Sequence, residues 1–133
     1  MTEPVYTARR AARSLFVPVR GLRCHLLAWG DASMVTLERP PLLLMHGWMD
    51  VAASFQFMVD ALATERYVLA ADWRGFGLSD AAGSDGYWFA DYLGDLDALL
   101  DVLCPGAPAR LIAHSMGGNV ASMYAGIRPA RVR

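Results

Sequence analysis

The stretch Ala113-His114-Ser115-Met116-Gly117-Gly118 decides how we expect the chain to fold, because it joins an apolar run (111–113) to a run with helical spacing (116–128). A serine between a strand and a helix, with small residues two positions to either side, is typical of a nucleophile elbow. The pattern is G-x-S-x-G, with Ala113 in place of the first glycine. Ser115 would then have strained backbone geometry and a hydroxyl exposed above a sheet. The alternative is an ordinary serine that caps a helix.

Composition places the chain among globular proteins. It has 133 residues, of which 55% are hydrophobic and 19% charged, so we expect one domain with a large core. The net charge of −1 gives no electrostatic reason to expect nucleic acid or an anionic membrane as a partner. No apolar run approaches the ~18 residues that span a bilayer. The sequence leaves the oligomeric state open.

The two cysteines and the N-terminal residues bear on the compartment. Cys24 and Cys104 lack metal-ligand spacing, so we expect reduced, partly buried thiols in a cytoplasmic protein, with no metal and no cofactor. Residues 1–13 contain three arginines but no long apolar segment follows them, which argues against a secretory signal. We expect a flexible N-terminal arm over residues 1–13 and a single domain over residues 14–133.

The order of apolar runs predicts the fold class. Short, continuously apolar runs are typical of strands buried in a parallel sheet, and apolar residues at helical spacing predict helices. The predicted strands cover residues 15–19, 22–29, 42–45, 67–71 and 110–113, with a hairpin at Arg20-Gly21. The predicted helices cover a segment capped by Ser54, then residues 89–103 and 116–128. This order predicts an α/β fold with a mostly parallel sheet and helices on both faces.

Three segments of chemical interest follow predicted strands: residues 46–50, 72–80 and 115–116. In such sheets sites form at the carboxyl ends of strands, so we expect these segments to meet. The backbone amides of Trp48 and Met116 are the predicted oxyanion donors for acyl transfer at Ser115. Gly47 would let its loop approach the substrate closely, and His46 would brace that loop through hydrogen bonds.

A base for Ser115 is not evident among the three histidines. His114 lies within the elbow, and its side chain should project away from the serine. His46 is assigned to the loop, and His25 is expected to be structural or at the surface. Asp72 is expected to pair with Arg74, and an acid would in any case only orient a histidine. We expect two further acids to lie away from the apolar stripe of their helix: Asp91 and Asp95.

Three motifs together resemble the α/β-hydrolase fold superfamily, and within it the serine hydrolase-like branch of small esterase-type enzymes. They are His46-Gly47-Trp48, Asp72-Trp73-Arg74-Gly75-Phe76-Gly77-Leu78-Ser79 and His114-Ser115-Met116-Gly117-Gly118-Asn119. The resemblance covers residues 15–133 and implies the N-terminal portion of the fold: two antiparallel strands, then strands three to five with helices A to C.

The resemblance also implies roles for residues. Ser115 is the nucleophile, Trp48 and Met116 form the oxyanion hole, and Gly117 is the second small residue of the elbow. The family's acid and histidine follow later strands and would fall beyond Arg133, so we expect a truncated member with little activity of its own. The expected reaction is hydrolysis of an apolar carboxylic ester.

Other functions on the same scaffold stay open. One is a non-catalytic relative that binds a small apolar ligand. Another is a cofactor-free haloperoxidase or a C–C bond hydrolase. Epoxide hydrolases and dehalogenases of this fold carry an aspartate nucleophile, so Ser115 argues against them. The residues expected to line a ligand pocket are Trp48, Met49, Phe76, Trp88 and Phe89.

Overall fold

A five-stranded sheet organises the chain in the computed structural model, which describes residues 1–133. Its strands are β1 (Arg13–Val19), β2 (Leu22–Trp29), β3 (Leu42–Met45), β4 (Val68–Ala71) and β5 (Arg110–Ala113). Their order across the sheet is β1-β2-β4-β3-β5. β3 pairs in parallel with β4 and β5, whereas β2 is antiparallel to both β1 and β4. Four strands therefore run in one direction, which confirms the mostly parallel sheet.

Three helices cover both faces of this sheet. They are α1 (Gln56–Ala61), α2 (Phe89–Leu103) and α3 (Met116–Ile127), accompanied by short 3₁₀ turns at Ala32–Met34, Ala52–Phe55 and Pro129–Arg131. The five strands and three helices are those that the family resemblance implies. The α/β fold class predicted from the sequence is confirmed.

Alternation along the parallel strands produces two cores. Successive side chains of a strand point to opposite faces, so Leu43 and Met45 enter a cluster of 17 buried residues with α2 and α3. Leu42 and Leu44 point the other way, into a cluster of 7 buried residues that contains Val59 of α1. The α2–α3 side therefore carries most of the core. Burial on both faces explains why these strands are continuously apolar.

The first helix begins differently from the prediction. Ser54 is not a helix cap, because it lies inside the 3₁₀ turn and α1 begins at Gln56 with Phe55 in the cap position. The Ser54 hydroxyl instead donates to the Asp50 carboxylate, which also accepts from the Val51 amide at 2.8 Å. Because the Ser54 hydroxyl is bonded to Asp50, it does not bond to the backbone amides at the start of α1.

The N-terminal arm has no helix or strand before Arg13, yet it contacts α1. The amides of Arg9 and Arg10 donate to the Asp60 carboxylate at 3.0 and 2.9 Å, and the Tyr6 hydroxyl donates to the same group. These bonds place the arm over the end of α1. Its flexibility, and the domain boundary after residue 13, stay predictions.

Candidate active site

The turn between β5 and α3 has the geometry expected of a nucleophile elbow. Ser115 has φ 53° and ψ −118°, a left-handed conformation that costs a non-glycine residue about 1–3 kcal/mol. Its side chain is exposed and makes no capping hydrogen bond, so it is not the ordinary helix cap of the alternative interpretation. The amides of Gly117 and Asn119 each donate at 3.0 Å, to the carbonyls of His114 and Ser115. The hydroxyl therefore stands at the top of a tightly bonded turn.

Two glycines allow the elbow to pack against the end of β3. A Cβ atom on Gly117 would lie 2.6 Å from the carbonyl oxygens of both Met45 and His46. A Cβ atom on Gly47 would lie 3.0 Å from the Cβ of Ser115. The strand end, its following loop and the elbow thus touch at two glycines, where a side chain would not fit at Gly117 and would be crowded at Gly47. This contact brings together two of the three segments predicted at the strand ends, residues 46–50 and 115–116.

Two backbone amides beside Ser115 are available as donors. The amide of Met116, the first residue of α3, has no acceptor within its helix, as is usual at a helix N-terminus. The amide of Trp48 also donates to no carbonyl of the chain. Met49, with φ 56°, turns the loop in the left-handed region directly after Trp48. Amides without acceptors at the start of a helix suit a developing negative charge.

His46 forms a fully buried link between the loop and β4. Its Nδ1 bonds to the Gly47 carbonyl at 2.7 Å and must donate, because a carbonyl only accepts. Its Nε2 accepts from the Trp73 amide at 3.0 Å, and the Trp73 indole donates to the His46 carbonyl at 2.9 Å. This arrangement requires a neutral ring, and burial lowers the pKa of His46. Both ring nitrogens are occupied, as a loop brace requires.

No imidazole of the chain bonds to the Ser115 hydroxyl. His46 is engaged as described, and the His114 side chain forms no hydrogen bond. His25 lies on β2, three positions from β5 in the sheet, which corresponds to about 14 Å at the usual strand spacing. These residues therefore bring donors to Ser115 but no general base.

The comparisons with known proteins identify the family. Residues 40–133 match the family model described as the alpha/beta hydrolase fold. The chain belongs to the α/β-hydrolase fold family. Danio rerio has a "Serine hydrolase-like protein" that is 34% identical over 128 residues, covering 95% of this chain and 37% of that protein.

Epoxide hydrolases are also among the relatives of this chain. "Epoxide hydrolase 4" of Mus musculus is 30% identical over 146 residues, covering 97% of this chain and 39% of that protein. The crystal structure of an epoxide hydrolase from Vigna radiata superposes with a TM-score of 0.79 and 28% identity, covering 91% of this chain and 37% of that one. The chain thus spans less than half the length of these relatives.

The expected pairing of Asp72 with Arg74 is wrong. In this α/β hydrolase Asp72 turns towards β2, where its Oδ2 accepts from His25 Nδ1 at 2.7 Å. The amides of Ala52 and Leu78 also donate to it, at 2.7 and 3.0 Å. β2 lies beside β4 in the sheet, so the residue that follows β4 reaches a histidine 47 positions earlier. His25 is accordingly buried, not at the surface.

Arg74 turns into α2 instead. Its guanidinium binds both carboxylate oxygens of Asp95, at 2.5 and 2.6 Å, in the two-point geometry that suits this pair. The expectation that Asp95 lies away from the apolar stripe is therefore wrong. Asp95 is only 6% exposed and lies on the buried face of α2. Charge neutralisation by Arg74 is what permits that burial. Asp91 is half-buried and lies 3.8 Å from the same guanidinium.

An apolar cleft of about 190 Å³ opens beside Trp48 and Met116. Two residues expected in a pocket line it, Trp48 and Phe89, whereas three others do not: Met49, Phe76 and Trp88. Trp88 and Met49 extend into solvent, and Phe76 packs edge-on against Trp48 with ring centres 5.3 Å apart. The remaining lining residues, which the sequence interpretation missed, are Tyr87, Tyr92 and Met116.

Two further features of the chain concern metal ions and membranes. No group of three or more His, Cys, Asp or Glu side chains is arranged to hold a metal ion. None of the helices has the length and apolar character needed to cross a membrane.

Proposed function

We propose that this α/β hydrolase cleaves carboxylic esters, with Ser115 as the nucleophile. The observation that carries the proposal is the left-handed backbone of Ser115, which exposes its hydroxyl at the start of α3. Its Oγ attacks the carbonyl carbon of the ester, and the bond to the alcohol oxygen breaks to leave an acyl-serine. Water then releases the acid and restores the hydroxyl.

The proposed oxyanion hole consists of the amides of Trp48 and Met116. Acyl transfer places a negative charge on the former carbonyl oxygen, and each well-placed donor stabilises that transition state by about 3–4 kcal/mol. Both amides lack acceptors in the chain, so they are free to bind that oxygen. The roles of Gly47 and Gly117 are to let the loop and the elbow meet without side chains between them.

A serine at position 115 favours ester over epoxide chemistry, although epoxide hydrolases are among the relatives. The family resemblance assigns an aspartate nucleophile to those enzymes, and this chain has a hydroxyl at that place. Epoxide opening leaves its charge on an alkoxide, whereas backbone amides beside the nucleophile suit the charge on an acyl oxygen.

The cleft supports an apolar substrate. All five lining residues are aromatic or methionine, and two of them, Trp48 and Met116, also supply the proposed donors. A bound ester would therefore place its carbonyl at the amides and an apolar group among the rings. Apolar contact of this kind selects for size and hydrophobicity.

Full activity requires a base that these 133 residues do not bring to Ser115. Removing the base of a model serine hydrolase costs about 10⁶ in kcat, while about 10³–10⁴ over water survives from the donors and binding. We infer that the chain alone works at this residual level.

Chemical rescue with free imidazole tests the proposed nucleophile. We expect added imidazole to raise hydrolysis of p-nitrophenyl butyrate by about 10-fold over imidazole alone, a fraction of what a positioned base supplies. Ser115→Ala should abolish this increase, and Ser84→Ala, which removes another exposed serine, should retain it. An equal increase in the Ser115→Ala chain would rule out Ser115 as the nucleophile.

A non-catalytic ligand-binding role is the second candidate, and the apolar cleft together with the missing base favours it. In that case an apolar ester should bind equally well to the chain and to Ser115→Ala. Imidazole should then produce no increase that depends on Ser115. The same experiment therefore separates the two functions.

We also infer a reducing compartment, the cytoplasm, from the cysteines. Cys24 and Cys104 are both free thiols. Burial raises the pKa of Cys24 to about 11 and also raises that of Cys104, so neither is readily ionised for disulfide formation.

A further inference from the structure

A second serine, far from the elbow, stands at the end of a chain of hydrogen bonds. The Ser14 hydroxyl lies 2.7 Å from His25 Nε2, and His25 Nδ1 lies 2.7 Å from the Asp72 carboxylate. Ser14 is on β1 and Ser115 follows β5, at opposite edges of the sheet. Four strand spacings of about 4.8 Å separate those edges, or roughly 19 Å. The two serines therefore form independent sites.

The direction of each proton in this chain follows from Asp72. Three groups donate to its carboxylate: the amides of Ala52 and Leu78, and His25 Nδ1. Asp72 Oδ2 accepts the bond from His25 Nδ1, so Nδ1 carries the ring proton. In the neutral ring Nε2 is then an acceptor, and the Ser14 hydroxyl donates to it. Hydroxyl, imidazole and buried acid thus have the order and polarity of a serine–histidine–aspartate relay.

The three residues of this hydrogen-bonded chain differ in their exposure to solvent. The side chains of His25 and Asp72 are only 6% and 3% exposed, whereas Ser14 is exposed. Phe16, on the same face of β1, covers the imidazole with ring centres 5.0 Å apart and is itself 46% exposed. The Phe16 ring therefore offers an apolar surface beside the hydroxyl, which suits an aryl ester.

We propose that Ser14 is a second acyl-accepting nucleophile, activated by His25 and Asp72, that reacts with activated carboxylic esters. The Ser14 Oγ bonds to the acyl carbon as the carbon–oxygen bond to the aryl group breaks. The hydroxyl proton passes to His25 Nε2 and then to the leaving aryloxide, giving a phenol. The acyl-serine is an alkyl ester, which is less reactive than the aryl ester, and Ser14 has no helix N-terminus beside it, so hydrolysis of the acyl-serine is the slow step.

Neither a lysine amine nor the neighbouring thiol competes with Ser14 for the ester. All 12 basic residues counted as Lys or Arg are arginines, so no lysine amine reacts with the ester. Cys24, the thiol nearest in sequence to His25, has its pKa raised to about 11 by burial. Ser84 is exposed and has no hydrogen-bond partner, which makes it an internal reference for an unactivated hydroxyl.

The test measures acetylation of individual serines by p-nitrophenyl acetate in the intact 133-residue chain. Trypsin cleaves after Arg13 and Arg20, so Ser14 is released in a peptide that contains no other hydroxyl. A positioned base contributes about 10²–10⁴-fold, so we expect Ser14 to acetylate at least about 100-fold faster than Ser84. Ser14→Ala should remove this label, and Ser115→Ala should leave it unchanged.

The dependence on the base is tested with His25→Gln. In a variant that circular dichroism shows to be folded, acetylation at Ser14 should fall to the rate of Ser84. Fast labelling that survives in the folded variant would overturn the relay. If the variant does not fold, the wild-type ratio decides by itself. Rates of Ser14 and Ser84 within threefold of each other would show that the bonds from Ser14 to Asp72 only stabilise the hairpin.

Discussion

Ser115 and Ser14 occupy opposite edges of one sheet and have complementary deficiencies. Ser115 stands at a strained turn beside amides without acceptors, yet no imidazole reaches it. Ser14 is bonded to a buried imidazole and, through it, to a buried carboxylate, but it lies in regular strand geometry. One site has charge stabilisation without a base, and the other has a base without that stabilisation.

The difference shows that these two parts of a serine hydrolase arise from different physical sources. The Met116 donor comes from a local event, the start of a helix directly after a strand, whereas the Trp48 donor also needs the loop after β3 to pack against the elbow. A base comes from tertiary structure, because imidazole, acid and hydroxyl must be brought together from separate elements. A fold that supplies both at one place is a catalyst, and here they are apart.

The largest expected effect concerns the acid of the Ser14 region. Asp72→Ala should lower the free energy of unfolding by about 3–5 kcal/mol, because it leaves the His25 Nδ1 and two backbone amides without their acceptor, and each unsatisfied donor costs about 1–3 kcal/mol. Asp80→Ala, in the same loop, removes an exposed pair with Arg23 and the hydrogen bond from the Arg23 amide, and should cost only about 1–2 kcal/mol. Urea denaturation of the two variants gives the comparison.

Equal losses in those two variants would contradict the structural part of the comparison. They would show that Asp72 does not hold β2, the loop after β4 and the turn before α1 together. His25 would then have no fixed orientation towards Ser14.

A smaller effect is expected in the Ser115 region. Gly117→Ala places a methyl group 2.6 Å from the carbonyl oxygens of Met45 and His46, so it should cost about 1–3 kcal/mol. Gly118→Ala is the matched control, because its Cβ would lie 3.7 Å from the Ala113 carbonyl, an ordinary contact. That variant should leave stability unchanged or raise it by up to about 1 kcal/mol through helix propensity.

Thermal or urea unfolding distinguishes the two glycine variants directly. A Gly117→Ala chain as stable as Gly118→Ala would mean that the elbow is not packed against the end of β3. The Trp48 amide would then lack a fixed position relative to Ser115.

The same difference explains which features the sequence predicts. Ser115 and its flanking small residues were predicted because the strand–turn–helix motif that contains them spans only a few positions, although Gly47 and Gly117 are also required by the contact between the loop after β3 and the elbow. The sheet was predicted because burial on both faces makes runs such as residues 42–45 continuously apolar. Patterns of this kind involve residues that are close in the sequence, so they can be recognised directly from it.

Polar pairs between residues far apart in the sequence cannot be recognised in this way. The bonds from His25 to Asp72 and from Arg74 to Asp95 join residues 47 and 21 positions apart, and both depend on the order of elements in space. Closeness in the sequence suggested that Asp72 pairs with Arg74, and that prediction is wrong. Knowing that β2 lies beside β4 is what would have indicated the correct partner for Asp72.

Turnover of an aryl ester by the 133-residue chain in a Ser14→Ala background tests the central claim most directly. Because a base is missing at Ser115, rates should not exceed about 10³–10⁴ over water, and adding Ser115→Ala should change them by less than about threefold. A turnover that falls 100-fold or more on adding Ser115→Ala would contradict the account. It would show that a base already reaches Ser115.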